Sequence, residues 1–202
     1  MALKIFTGIL FFLIVLISGN VKAQRLDSTA LAEEPEYNDL SEALQNPDKV
    51  YKLNLRKQKL KEIPKDVFKL KNLQELNVSK NKLKDLPKNL DTLKNLEVIN
   101  ASANDIDTLF AEIGNCSQLK KLILNQNVIA HLPSTIGNLT HLIFLDMWGN
   151  EIQEFPKEIS KLQNTLKVVD LRVINIHDDM QEEIVKLLPN TKFFFSLSCN
   201  CN

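Results

Sequence analysis

Glycine is scarce in this chain, with five among 202 residues, and none gathers into the Gly-rich loops that cradle phosphates. Histidine is scarcer still. His131, His141 and His177 share no ligand spacing with one another or with carboxylates, which removes the familiar metal-binding patterns. Ser134 lies near His131 in sequence, but no strained elbow or oxyanion turn accompanies it. Three cysteines are too few, and too clustered, for a disulfide framework, so the core must come from burial. Neither sign of charge dominates, with 25 basic and 25 acidic residues, and the global basic signature of a nucleic-acid binder is missing. These absences exclude the common routes to catalysis. The chain is therefore read as non-enzymatic, with no cofactor, no metal and no nucleic-acid partner.

The amino terminus is patterned for export. Lys4 precedes an apolar run from Ile5 to Ser18, and Val21-Lys22-Ala23 forms a small-residue exit. This is the three-part plan of a secretory signal peptide, residues 1–23, cleaved after Ala23. The apolar run has 14 residues, short of the roughly 20 needed to span a bilayer as an uncleaved anchor. No cysteine follows it before Cys116, which argues against a lipid anchor. The expected destination is the extracellular space or the periplasm and cell envelope, with no stable membrane span once the signal is removed. Without Lys4 and Lys22 the basic count falls from 25 to 23 against 25 acidic, a net of −2. Charge is unevenly spread: 24–47 carries one basic and six acidic residues, whereas 48–95 carries 14 basic and six acidic. A loose acidic leader is expected over 24–37.

A 23-residue period then governs the chain. Starting at Val50, Leu73, Leu96, Leu119 and Leu142, each unit has apolar residues at positions one, four and six, as in Leu119/Leu122/Leu124. Position nine reads Gln58, Asn81, Asn104, Asn127, Asn150, and position eleven Leu60, Leu83, Ile106, Ile129, Ile152. An apolar-proline pair follows as Ile63-Pro64, Leu86-Pro87, Leu132-Pro133 and Phe155-Pro156, with Leu109-Phe110 as the exception. Positions four and six share one strand face and enter a common core. One coil cannot bury that face alone, but stacked coils can. The position-nine amide offers both donors and an acceptor to backbone groups at the turn.

The pattern resembles the leucine-rich repeat proteins of the 23-residue LxxLxLxxNxLxxLPxxLxxLxx type, from about Val50 to Asn190. The resemblance implies an α/β solenoid: a curved parallel sheet on the concave face, short helical or irregular convex segments, and helical caps at both ends. Five regular repeats would occupy 50–165, after an amino-terminal cap over 38–49. An irregular last repeat and carboxy-terminal cap would fill 166–202. Asn38-Asp39 is expected to start one cap helix, Asp178 or Asp179 the other, and Phe193–Leu197 to form a last strand. Gln58 and Ile174 replace the ladder asparagine at the two ends. A small monomer of this family implies a protein or peptide partner on the concave face. The LPxxL signature also resembles cytoplasmic adaptors, so an intracellular signalling scaffold is the alternative.

Positions three, five and seven point away from the core by strand alternation. The fifth column reads Asn54, Asn77, Asn100, Ile123, Asp146, Asp170, and an isoleucine there calls for a reason. Val98, Phe144, Trp148 and Val168 share its face. Together they approach the several-hundred-Å² scale at which exposed apolar surface marks a binding site. The expected partner-binding residues are therefore Val98, Ile123, Phe144, Trp148 and Val168, rimmed by Asp146 and Arg172. Cys116 occupies an apolar column and reads as a buried structural thiol. Cys199 and Cys201 are too close together for a zinc loop. An internal disulfide, a link to another molecule, or oxidised thiols on a free tail remain open for them, the disulfide being favoured in an exported protein. A thiol-based redox or metal role would rest on this pair alone.

Overall fold

A computed structural model describes residues 25–174 and 177–196 of the chain. The expected signal peptide, and Cys199 with Cys201, lie outside the described residues.

Each repeat forms one three- or four-residue strand and one short 3-10 segment. The strands run β1 (Glu36–Tyr37), β2 (Lys52–Asn54), β3 (Glu75–Asn77), β4 (Val98–Asn100), β5 (Lys121–Ile123), β6 (Phe144–Asp146), β7 (Val168–Leu171) and β8 (Lys192–Phe195). They make a single open parallel sheet in sequence order. The register follows the repeat, with Leu53, Leu76, Ile99, Leu122, Leu145 and Val169 side by side. These residues are all buried, as is the position-six column Leu55, Val78, Ala101, Leu124, Met147, Leu171. The solenoid core is thus a stack of identical layers, each covering its neighbour's apolar face.

Proline sets the return path. Pro64, Pro87, Pro133 and Pro156 precede the 3-10 segments Lys65–Lys69, Lys88–Thr92, Ser134–Asn138 and Lys157–Leu162. Phe110 stands at the same place in the third repeat with φ −70°, indistinguishable from the proline values. The missing proline therefore changes nothing in geometry; neighbouring layers hold the phenylalanine where the ring of proline would have held it. Gly114 and Gly137 sit within these segments, and a Cβ at either would collide with the backbone carbonyl of Thr135 or Glu158 in the next repeat. Glycine there is demanded by close approach of backbone to backbone.

The asparagine ladder has a defined wiring. Asn127 Oδ1 accepts from Ile106 N–H at 3.0 Å, while its Nδ2 donates to the carbonyls of Ala101 and Leu124 at 3.1 and 2.8 Å. Asn104 and Asn150 repeat this one layer down and one layer up. Asn81 accepts from both Gln58 and Leu60 N–H, so the first coil borrows its rung from the second. Gln58 instead turns its amide to the Asn38 carbonyl in the cap. At the far end Ile174 is buried and apolar.

The caps match in place and differ in detail. Asp39 accepts from Ser41 and Glu42 N–H and starts helix α2 (Leu40–Ala43), whose Ala43 is fully buried. Helix α3 (Asp178–Leu187) begins one residue earlier than Asp capping requires: His177 holds the N-cap position without a side-chain hydrogen bond. The last strand is Lys192–Phe195, ending two residues before Leu197. The described part of the leader, 25–37, differs most from its expected looseness. Within it, α1 (Ser28–Glu33) is capped by Asp27, and β1 extends the sheet beyond the first repeat. Leu31 is buried. Gln74 grips both backbone groups of Leu26, accepting at 2.6 Å and donating at 3.0 Å. Arg25 reaches buried Glu97, which Lys120 also holds at 2.7 Å. An acidic composition fails to predict disorder here because a few specific polar pairings anchor the segment to the second and third coils.

Candidate functional site

The sheet face opposite the core is a lattice whose rows are set by register. One row runs Lys52, Glu75, Val98, Lys121, Phe144, Val168, Lys192; the next runs Asn54, Asn77, Asn100, Ile123, Asp146, Asp170, Phe194. At ~4.8 Å per strand, eight strands span roughly 35 Å. Val98, Ile123, Phe144, Asp146, Trp148 and Val168 are each half-buried on this surface, and Arg172 is exposed.

The second row has a structural duty that its isoleucine does not perform. Asn54, Asn77, Asn100, Asp146 and Asp170 each accept, through Oδ1, the N–H two residues on, at 3.0–3.1 Å. This is the Asx turn that ends each strand. In the six coils from Asn54 to Asp170, Ile123 alone carries no acceptor. A column that asks for Asn or Asp in five of its six coils holds an aliphatic side chain in the coil beside Phe144 and Trp148.

The expected site residues fall into two groups. Phe144 and Val168 are direct cross-strand neighbours, and Trp148 lies two residues past the end of the strand that holds Phe144 and Asp146. Val98 is separated from Phe144 along its row by Lys121; it meets Ile123 diagonally instead. These two line a shallow depression with Asn100, Asn77 and Glu75.

Charge on this face is partly cancelled from within. Arg172 pairs with Asp170, Nη2 to Oδ2 at 2.6 Å and Nε to Oδ1 at 3.0 Å. Burial pushes the Asp170 carboxyl up, but the hydrogen bonds and charge of Arg172 outweigh it and hold Asp170 below the usual carboxylate range. Asp146, the residue expected to share the rim with Arg172, is not its ion-pair partner. It takes hydrogen bonds from Asn125 Nδ2 and Trp148 N–H. Burial dominates at Asp146, with nearby Asp170 adding to it, and its carboxyl titrates above the usual range.

Two residues escaped the sequence reading. Asp170 was visible in its column but not as the partner of Arg172, two residues on. Phe194, 37% exposed, extends the second row past Asp170, with Lys192 Nζ 4.7 Å and Arg172 5.7 Å from its ring centroid. A last strand spanning 193–197 held the signal for it; only the pairing register shows that residue 194 joins the outer row.

Comparison with known proteins agrees with the fold. The leucine-rich repeat family model matches residues 48–106. A leucine-rich repeat protein of Leptospira interrogans is similar over 81% of this chain and 46% of its own, at 32% identity and a TM-score of 0.67. The leucine-rich repeat ectodomain of a plant membrane receptor kinase from Arabidopsis thaliana, determined in complex with Casparian strip integrity factor 2, is similar over 64% of this chain and 16% of its own, at 28% identity and a TM-score of 0.54. The chain thus spans less than half the length of either. No curated protein matches it.

Proposed function

This chain is a leucine-rich repeat protein, and from that premise we propose that it is an exported, non-enzymatic recognition module. Its outer sheet face binds a protein or peptide partner through Ile123, Phe144 and Trp148, with Val98 and Val168 beside them. The observation that carries this reading is Ile123. Five equivalent positions close their strands with an Asx turn, and the sixth gives that bond up for apolar surface. A turn hydrogen bond is worth ~0.5–1.5 kcal/mol, so the exchange disfavours the fold and favours contact with something outside it. The plant relative's complex supports a binding role in kind. Among the described residues no helix is long and apolar enough to cross a membrane.

Truncating an aromatic anchor typically costs about 2 kcal/mol or more at an interface, and ~1.4 kcal/mol is one decade of affinity. Trp148→Ala should therefore weaken partner binding at least about tenfold. Ile123→Asn should weaken it comparably while restoring the Asx turn, so its unfolding midpoint should equal or exceed that of the wild type. The test is capture from the producing organism's medium or envelope extract, comparing wild type with Trp148→Ala/Phe144→Ala. A partner retained equally by both refutes the face. Amino-terminal sequencing of the natural protein tests export: Gln24 as first residue supports it, whereas a retained Met1 supports the intracellular adaptor.

A further inference from the structure

Resting on that reading, we propose that Asp146 is a cation-binding subsite of the sheet face: the partner inserts a lysine or arginine side chain between Ile123 and Trp148 and pairs it with this carboxylate. Asp146 and Asp170 are direct cross-strand neighbours, and one arginine serves the two of them. Arg172 commits to Asp170 through three hydrogen bonds, leaving the pair with one uncompensated negative charge. Among the described residues Asp146 has no ion pair. Lys121, one strand away in the neighbouring row, makes none either.

Asp146 is nevertheless held in place. Its Oδ1 accepts Trp148 N–H and its Oδ2 accepts Asn125 Nδ2. A carboxylate has about four acceptor sites, so roughly two remain for a ligand once these N–H groups are counted. The flanking surface suits a long basic side chain: Ile123, the cross-strand neighbour of Asp146, for its methylene stem, and the rings of Phe144 and Trp148, two residues before and two residues after Asp146, for the face of an ammonium or guanidinium. An uncharged apolar partner would leave this half-buried charge more deeply desolvated with nothing to offset it, an expensive outcome. A basic side chain converts that cost into a charge-assisted hydrogen bond. Selection against acidic partners follows from the same charge.

The test uses a phage library of random dodecapeptides panned on the chain from residue 24 onward, followed by synthesis of the most enriched sequence and its Lys/Arg→norleucine analogue. Affinities are measured on wild type, Asp146→Asn and Trp148→Ala. Asp146→Asn keeps the strand-end turn, as Asn100 does for Ser102, so it removes charge without removing the fold. The expected result is enrichment of peptides with a basic residue beside apolar ones. Norleucine should weaken wild-type binding at least about tenfold, and Asp146→Asn should erase the difference. Enriched peptides without a basic residue, or a basic preference that survives Asp146→Asn, overturn the subsite; if such peptides still lose affinity on Trp148→Ala, the recognition face stands without it. Peptides indifferent to both substitutions overturn the subsite and the face together.

Discussion

Removing one ladder amide tests how the coils are held to one another. Asn127 is 5% exposed and joins two layers: its acceptor serves Ile106 in its own layer's predecessor, and its donors serve Ala101 and Leu124. The two carbonyls have second partners, since Asn104 also donates to Ala101 and Asn150 to Leu124. Among the described residues, Ile106 N–H has only Asn127. Asn127→Ala therefore orphans one buried donor outright, at ~1–3 kcal/mol, and weakens two acceptors that remain satisfied. We expect a loss on the order of 2 kcal/mol, which for a chain this size lowers the midpoint by roughly 4–8 °C. Asn127→Asp should be worse at neutral pH, because it keeps the acceptor for Ile106 but turns a carboxylate onto two carbonyls. Lys84→Ala, on the exposed surface, should stay within about 0.5 kcal/mol. Urea unfolding followed by circular dichroism measures all three. Equal midpoints for Asn127→Ala and Lys84→Ala would refute the ladder's role.

Gly137→Ala should cost about 1–3 kcal/mol by overpacking, because the backbone of Glu158 cannot recede without opening the next layer; an unchanged midpoint would show that the convex segments slide freely. The two neighbouring aspartates should show opposite pH behaviour. Asp146 titrates above its unfolded value, so its charge opposes folding at neutral pH and the opposition fades as pH falls through its folded pKa; Asp146→Asn should gain most over wild type at pH 7 and lose that gain in acid. Asp170 titrates below its unfolded value, so its contribution is present at neutral pH and is lost in acid; Asp170→Asn should be destabilising at pH 7 and approach wild type in acid. Parallel pH–stability curves for both variants would contradict this. Burial, with the charge of Asp91 adding to it, pushes the Cys116 thiol up to about 12, so alkylation mapped by mass spectrometry should modify Cys116 only after unfolding.

Most of the solenoid was legible because its signal is repeated. Five aligned units overcome any single departure, and the Leu109-Phe110 exception left the backbone path untouched. Solitary features were the ones missed. Arg25, Leu26 and Leu31 occur once, so no periodicity marked them as docking residues, and their partners Gln74 and Glu97 look like ordinary surface positions of the repeat. The left-handed backbone at Lys57, Lys80, Ala103, Gln126 and Gly149 recurs at position eight of every regular unit, yet only one of these five is glycine. Composition hid a conformation that the stacked hydrogen bonds impose. On the sheet face, Ile123 was readable as an anomaly in its column, but the reason it is anomalous was not. That required seeing the Asx turns its equivalents make. Spacing marks Arg172 as a rim charge; its commitment to Asp170 depends on side-chain direction, which spacing does not determine.

Site-specific photo-crosslinking puts the recognition face to its most direct test. A p-benzoylphenylalanine in place of Ile123 samples the centre of the outer sheet, and one in place of Val185, 43% exposed on α3, samples an unrelated surface. Each variant is expressed in the producing organism, irradiated and resolved by denaturing gel. A covalent adduct of defined mass from position 123, absent from position 185 and lost on adding Trp148→Ala, is the result the account predicts. Adducts from position 185 alone, or from 123 undiminished by Trp148→Ala, would contradict it.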